Sequence, residues 1–243
     1  MRLVRFVKAQ LRWRSPVVLL AAFACAIPFS AQAQQPVRRK AALALAEEYR
    51  CLRWTPTAQN AFHGLDPEGI RVHTPDAGFQ DPHLRPGWWV PGQVNVGVPY
   101  MWGGFSSLKE FKEGVAQGRY AGDVYTPEKR RLLDDAVSKH AVGIDCSGLI
   151  SRCWGLERSY STRELPGLCV PLASYEELKP GDILNSHNNH VLLFKGFADK
   201  DHARLLAYEA GSPPTWKVLL DSISVPILKE QGYKPWRYKK MAD

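Results

Sequence analysis

Two residues capable of covalent chemistry stand out by where they fall. Residues 143–149 read Gly-Ile-Asp-Cys-Ser-Gly-Leu, and His190 opens the apolar run His-Val-Leu-Leu-Phe. Leu149, Ile150 and Trp154 after Cys146, with Gly155 beyond them, predict a helix that begins at the cysteine. Unpaired N–H groups and the positive dipole at a helix start favour a thiolate. A histidine on a neighbouring strand can take and return the proton, so Cys146 and His190 are candidates for nucleophile and general base. The competing reading of Cys146 is a small buried helix residue, which free cysteines often are. His187 is a rival base, but it lies in the polar turn 186–189, where a histidine is usually solvated.

The elements that must hold this pair follow from periodicity and punctuation. Leu43, Leu45, Tyr49 and Leu52 predict a helix over 41–54 with charges on its other face. A Pro- and Gly-rich stretch follows over 55–97, with turn signals at Asp66-Pro67, Thr74-Pro75-Asp76 and Pro86-Gly87. Trp54, Trp88 and Trp89 are expected to pack against the main domain. Ser107 and Glu110 make a capping box for a helix ending near Gly118. Thr126-Pro127-Glu128 supplies an N-cap, a first-turn proline and an early acid for another helix, running to about His140. After Pro180-Gly181 the pattern changes to strands at 182–184, 190–197, 204–210, 216–220 and 236–238. Helices first and strands afterwards predict an α+β fold, with the Cys146 helix packed on an antiparallel sheet of about five strands. The expected division is an N-terminal helix and wrap over 34–94 and a catalytic domain over 95–243, with a helical insert at about 105–144.

Four blocks then resemble the NlpC-type family of papain-like cell-wall peptidases. They are Pro99-Tyr100-Met101-Trp102-Gly103-Gly104, Asp145-Cys146-Ser147-Gly148-Leu149, Leu178-Lys179-Pro180-Gly181-Asp182-Ile183-Leu184 and His190-Val191, in that order. The resemblance implies a papain-like layout and hydrolysis of peptidoglycan stem peptides, commonly next to a γ-linked D-glutamate, by a Cys-His pair with a third polar residue. Cys146 matches the nucleophile and His190 the base. The third position, just before an alanine, is usually histidine; here Tyr208-Glu209-Ala210 puts Glu209 in the slot. A carboxylate there can fix the imidazole tautomer and stabilise the imidazolium, although a strand glutamate is often only a solvent-facing charge. His202 has the family's usual distance from the base but lies in the polar turn 199–202. Tyr100 matches a substrate-side tyrosine, with a core aromatic beside Trp102 as the competing reading. Asp145 and Ser147 match positions that grip the free amine of a stem peptide, and Asp145 can equally be a plain N-cap.

The chain departs from the family between two blocks. Gly104 and Asp145 are 41 positions apart, where the family has a short connection. Both ends of the insert are site motifs, so it belongs at the rim of the cleft, either as a lid or as a surface hairpin. Two other functions stay open: a related cysteine amidase or acyltransferase, and a non-catalytic wall-binding module of the same fold.

Arg2, Arg5, Lys8, Arg12 and Arg14 precede an apolar run over 17–27 and the small-residue pattern Ser30-Ala31-Gln32-Ala33. This order predicts a signal peptide cut after Ala33, with export to the periplasm or beyond. The apolar run is too short to span a bilayer, so no stable membrane insertion is expected. Five of the 32 basic residues lie in this leader, against 24 acidic residues in the whole chain, so the mature charge does not argue for nucleic acid. Stem peptides are the expected partner, and nothing specifies an oligomeric state. Cys51, Cys153 and Cys169 permit a disulfide among themselves, and Cys153 is expected to be buried on the same helical face as Cys146. The spacings make no zinc site, and no cofactor is expected.

Overall fold

The local signals place most helices where the sequence predicts them. A computed structural model describes residues 36–81, 86–211 and 215–243; the expected leader lies outside the described residues. Helix α1, Arg39–Cys51, buries Ala42, Ala46 and Tyr49. Helix α2, Leu108–Ala116, starts at the expected capping box, with Ser107 N donating to Glu110 Oε2 at 2.7 Å and Glu110 N to Ser107 Oγ at 3.1 Å. Helix α3, Pro127–Leu132, starts after Thr126 as expected but stops well short of His140. Leu133, at φ 53° and ψ −121°, leaves the helical region, and the chain continues as the single 3-10 turn Leu133–Ala136. Two donors hold this break in place: Trp102 Nε1 bonds Leu133 O at 3.0 Å, and Lys129 Nζ bonds Ala136 O at 3.1 Å. Helix α4, Cys146–Cys153, carries the candidate nucleophile at its first position. Helix α5, Val225–Glu230, follows the sheet's edge strand.

The fold is mixed α and β, built on a six-stranded antiparallel sheet rather than about five strands. Its strands are β1 Cys169–Pro171, β2 Ile183–Ser186, β3 His190–Phe197, β4 Arg204–Ala210, β5 Val218–Ser224 and β6 Lys234–Tyr238. The order across the sheet is β5-β4-β3-β2-β6-β1. The unexpected strand β1 lies at the edge beside β6, where Pro171 costs no ladder bond on the open side. Strand β5 starts later than expected because Trp216 takes a left-handed φ of 50°, which breaks extended backbone before Val218.

Helix α4 lies on one face of the sheet. Leu149 and Ile150, both fully buried, share a core with Val191 and Leu193 of β3. Each such burial stabilises by about 1.5–3 kcal/mol, so the first turn of α4 is firmly seated. Leu192 and Phe194 face the other way, onto Val225 and Leu228 of α5. Ala42, Ala46, Tyr49, Trp54 and Trp89 belong to the same core as α4, so the N-terminal segment and the sheet are packed together. Polar ties reinforce this: Tyr208 Oη donates to Glu47 Oε2 at 2.8 Å, and Arg39 and Arg237 converge on the fully buried Asp182 at 2.9 and 2.7 Å. The Lys-Pro-Gly-Asp block therefore anchors α1 and β6 to the start of β2. Cys51, Cys146, Cys153 and Cys169 are all free, and Cys153 is buried as expected. Among the described residues no helix is long and apolar enough to cross a membrane.

Candidate active site

The Asp-Cys-Ser-Gly segment forms the start of α4 for reasons of hydrogen bonding and close approach. Asp145 is the N-cap, with extended backbone, and its Oδ1 accepts from Gly148 N at 2.5 Å and Ser147 Oγ at 2.9 Å. Gly148 is required by space: a methyl group there would sit 2.1 Å from Gly104 O. That contact lets the Gly103-Gly104 turn lie directly on the helix start, and Asp145 N bonds Gly104 O at 3.1 Å. Gly103 itself takes a positive φ of 66°, which glycine adopts without strain. As the first residue of α4, Cys146 offers a backbone N–H that has no acceptor within the helix.

Cys146 and His190 line one cleft of about 310 Å³. His190 opens β3, and its Nε2 lies 2.7 Å from Oε2 of Glu209 on β4, each side chain being 18% exposed. That leaves Nδ1 as the ring nitrogen available to Cys146. Burial disfavours a charged imidazole here, but the charge and hydrogen bond of Cys146, and then those of Glu209, outweigh it and push His190 up to about 10. The arrangement suits a thiolate–imidazolium pair with the carboxylate fixing the ring. Tyr233 packs its edge against the His190 ring, with centroids 6.5 Å apart and planes at 88°. Nothing in the local sequence around Tyr233 signals this contact, which depends on α5 folding back onto the sheet.

Tyr100 and Trp102 line the cleft with Asp145 and Ser147, so all three expected substrate-side residues are gathered beside Cys146. Tyr100 is buried, its N–H donating to Trp216 O at 2.8 Å. Burial foremost, then the charges of Asp145 and Cys146, hold its phenol well above the usual range, so it remains a donor. Asp145 serves as the N-cap, and burial raises its carboxyl against the opposing pull of the Gly148 and Ser147 hydrogen bonds. His187 is exposed, and His202 stacks on Phe197 with centroids 3.6 Å apart; the imidazole partner is Glu209.

The insert forms a wall of this cleft. Tyr125, Arg130, Leu133, Asp134 and Val137 all line it, so the rim position expected from its two ends is realised. A second wall comes from Ser161, Thr162 and Arg163, a segment tied to β2 by Asn185 Nδ2 donating to Thr162 O at 3.0 Å. Among the described residues no group of three or more His, Cys, Asp or Glu side chains is placed to hold a metal ion.

Glutamine in place of Glu209 keeps the shape and removes the charge that favours imidazolium. The His190 titration, followed by NMR of the ring, is expected to move from about 10 to lower pH, by about 1–3 units. An unmoved titration would show that Glu209 does not act on the ring.

Comparison with known proteins returns no match: no family model, curated protein or solved structure is significantly similar to the chain.

Proposed function

We propose that this chain is an exported cysteine hydrolase of papain-like layout that cleaves peptidoglycan stem peptides through a thiol acyl-enzyme. The observation that carries the chemistry is Cys146 at the start of α4 sharing one cleft with a His190 whose far nitrogen is held 2.7 Å from Glu209. The substrate class rests on the four-block resemblance.

In this reading the Cys146 thiolate adds to the peptide carbonyl carbon and forms a tetrahedral oxyanion. The backbone N–H of Cys146 faces the developing charge, and the Tyr100 hydroxyl is a second donor on that side. The C–N bond breaks as His190 gives its proton to the leaving amine, which leaves a thioester on Cys146. Water then attacks the thioester, His190 takes its proton, and the carboxylic acid departs as the thiolate–imidazolium pair is restored. Glu209 keeps the ring oriented through both halves. Asp145 contributes mainly by capping α4 and thereby fixing the Cys146 backbone.

The test is mass spectrometry of defined muropeptides incubated with the mature protein. New stem-peptide fragments are expected with the wild type and none with Cys146→Ala. Intact muropeptides in both samples would reject this substrate class.

A further inference from the structure

Several arginines are already spent. Arg39, Arg50, Arg152, Arg158 and Arg237 each meet a carboxylate, and Lys129, next to Arg130 on α3, is consumed by Asp123. Arg130 and Arg163 differ. Both line the cleft that contains Cys146, and among the described residues neither has an ion-pair partner. Arg130 is half-buried and Arg163 is exposed. The acidic residues of the cleft do not neutralise the two. Asp145 is engaged at the start of α4, and Asp134, exposed on the same wall, lies beyond ion-pair distance of both arginines.

The backbone under each arginine is fixed. Arg130 stands on α3, which Lys129 pins from within, and Arg163 follows the residue whose carbonyl Asn185 holds. A guanidinium presents a planar fork that matches a carboxylate through two parallel hydrogen bonds. The cleft, at about 310 Å³, is at the small end of ligand sites, and it is lined by both arginines and by Cys146.

We propose that Arg130 and Arg163 form a carboxylate-binding subsite beside Cys146, which selects acyl substrates carrying a free carboxylate next to the bond attacked. This rests on Cys146 being the nucleophile. It also gives the insert a task, because Arg130 comes from the segment where the chain departs from the resemblance and neither arginine lies in a shared block.

Iodoacetate and iodoacetamide test this without a natural substrate. Both give a thioether as the thiolate displaces iodide, and they differ in carrying a carboxylate or a neutral amide. Exposed Cys51 in the same chain is the internal reference. Labelling rates at Cys146 and Cys51 are read by peptide mass spectrometry for the wild type, Arg130→Gln, Arg163→Gln and Arg131→Gln. Arg131 is an exposed neighbour outside the cleft, so its variant controls for net charge.

The iodoacetate-to-iodoacetamide rate ratio at Cys146 is expected to exceed that at Cys51 by about tenfold. It falls by about threefold or more in Arg130→Gln and Arg163→Gln and holds in Arg131→Gln. A Cys146 ratio that is the same in all four proteins overturns the subsite while leaving the nucleophile in place. A Cys146 that reacts with iodoacetamide no faster than Cys51 overturns the nucleophile, and the subsite with it.

Discussion

Replacing either Cys146 or His190 by alanine is expected to lower hydrolysis by about 10⁴-fold or more. Cys146→Ala removes the sulfur that forms the acyl-enzyme. His190→Ala leaves the thiol without the group that accepts its proton and later protonates the leaving amine. The two act as one unit, so the double variant should be little worse than either single one. Cys146 is a small residue at the cleft and the His190 side chain is already 18% exposed, so thermal melts are expected to show folded protein in each case. Product formation from muropeptides, measured by chromatography under initial-rate conditions, checks the prediction. Retained turnover in either variant contradicts the mechanism.

The largest expected effect on stability lies in the insert. Lys129 Nζ meets Asp123 Oδ2 at 2.6 Å, with side-chain exposures of 3% and 0%, and also donates to Arg71 O and Ala136 O. This single ammonium therefore holds α3, the turn after it and the N-terminal segment together. Lys129→Met leaves Asp123 buried with His73 N as its remaining donor and is expected to cost about 3–5 kcal/mol.

The loss should depend on pH. Burial already raises Asp123 to about 7 against the opposing charge and hydrogen bond of Lys129, and removing the lysine raises it further. A carboxyl with a folded pKa above its unfolded value binds its proton more tightly in the folded state. Stability of the variant therefore falls as pH rises from about 4 through the raised value. Urea unfolding at pH 5 and pH 8 should show the larger deficit at pH 8. Asp123→Asn in the Lys129→Met background should recover part of the pH 8 deficit. A variant as stable as wild type at pH 8 contradicts a structural role for the pair.

What could be read from the sequence was what local chemistry dictates. Strands β3 and β4 begin and end where the sequence predicts them, β3 on its continuous apolar run, and α2 begins at its capping box. The start of α4 at Cys146 follows from Asp145 as N-cap. Features set by distant partners were not legible. The early stop of α3 depends on Trp102 and Lys129 reaching the carbonyls of Leu133 and Ala136, and no local residue announces it. The late start of β5 depends on a left-handed Trp216 whose carbonyl serves both Tyr100 N and Trp88 Nε1. Edge strand β1 follows Pro166 and ends on Pro171, and these prolines read as turn residues until β6 pairs with the strand.

The candidate site divides in the same way. Cys146, His190, Glu209, Tyr100, Asp145 and Ser147 carry signals in motif and spacing. Tyr233 against the imidazole and Arg130 and Arg163 in the cleft wall do not, because each reaches the site only through long-range packing.

The mechanism requires that His190 make Cys146 a reactive thiolate. The direct measurement is the rate of iodoacetamide labelling at each cysteine at pH 7, by peptide mapping, in wild type and His190→Ala. Cys153 and Cys169 are buried, which raises Cys153 far above the ordinary thiol range and Cys169 to about 12, so neither should label readily. Cys146 is expected to label roughly tenfold or more faster than exposed Cys51, and to lose that advantage in His190→Ala. Equal labelling of Cys146 and Cys51 in the wild type, or a Cys146 rate unchanged by His190→Ala, would contradict it.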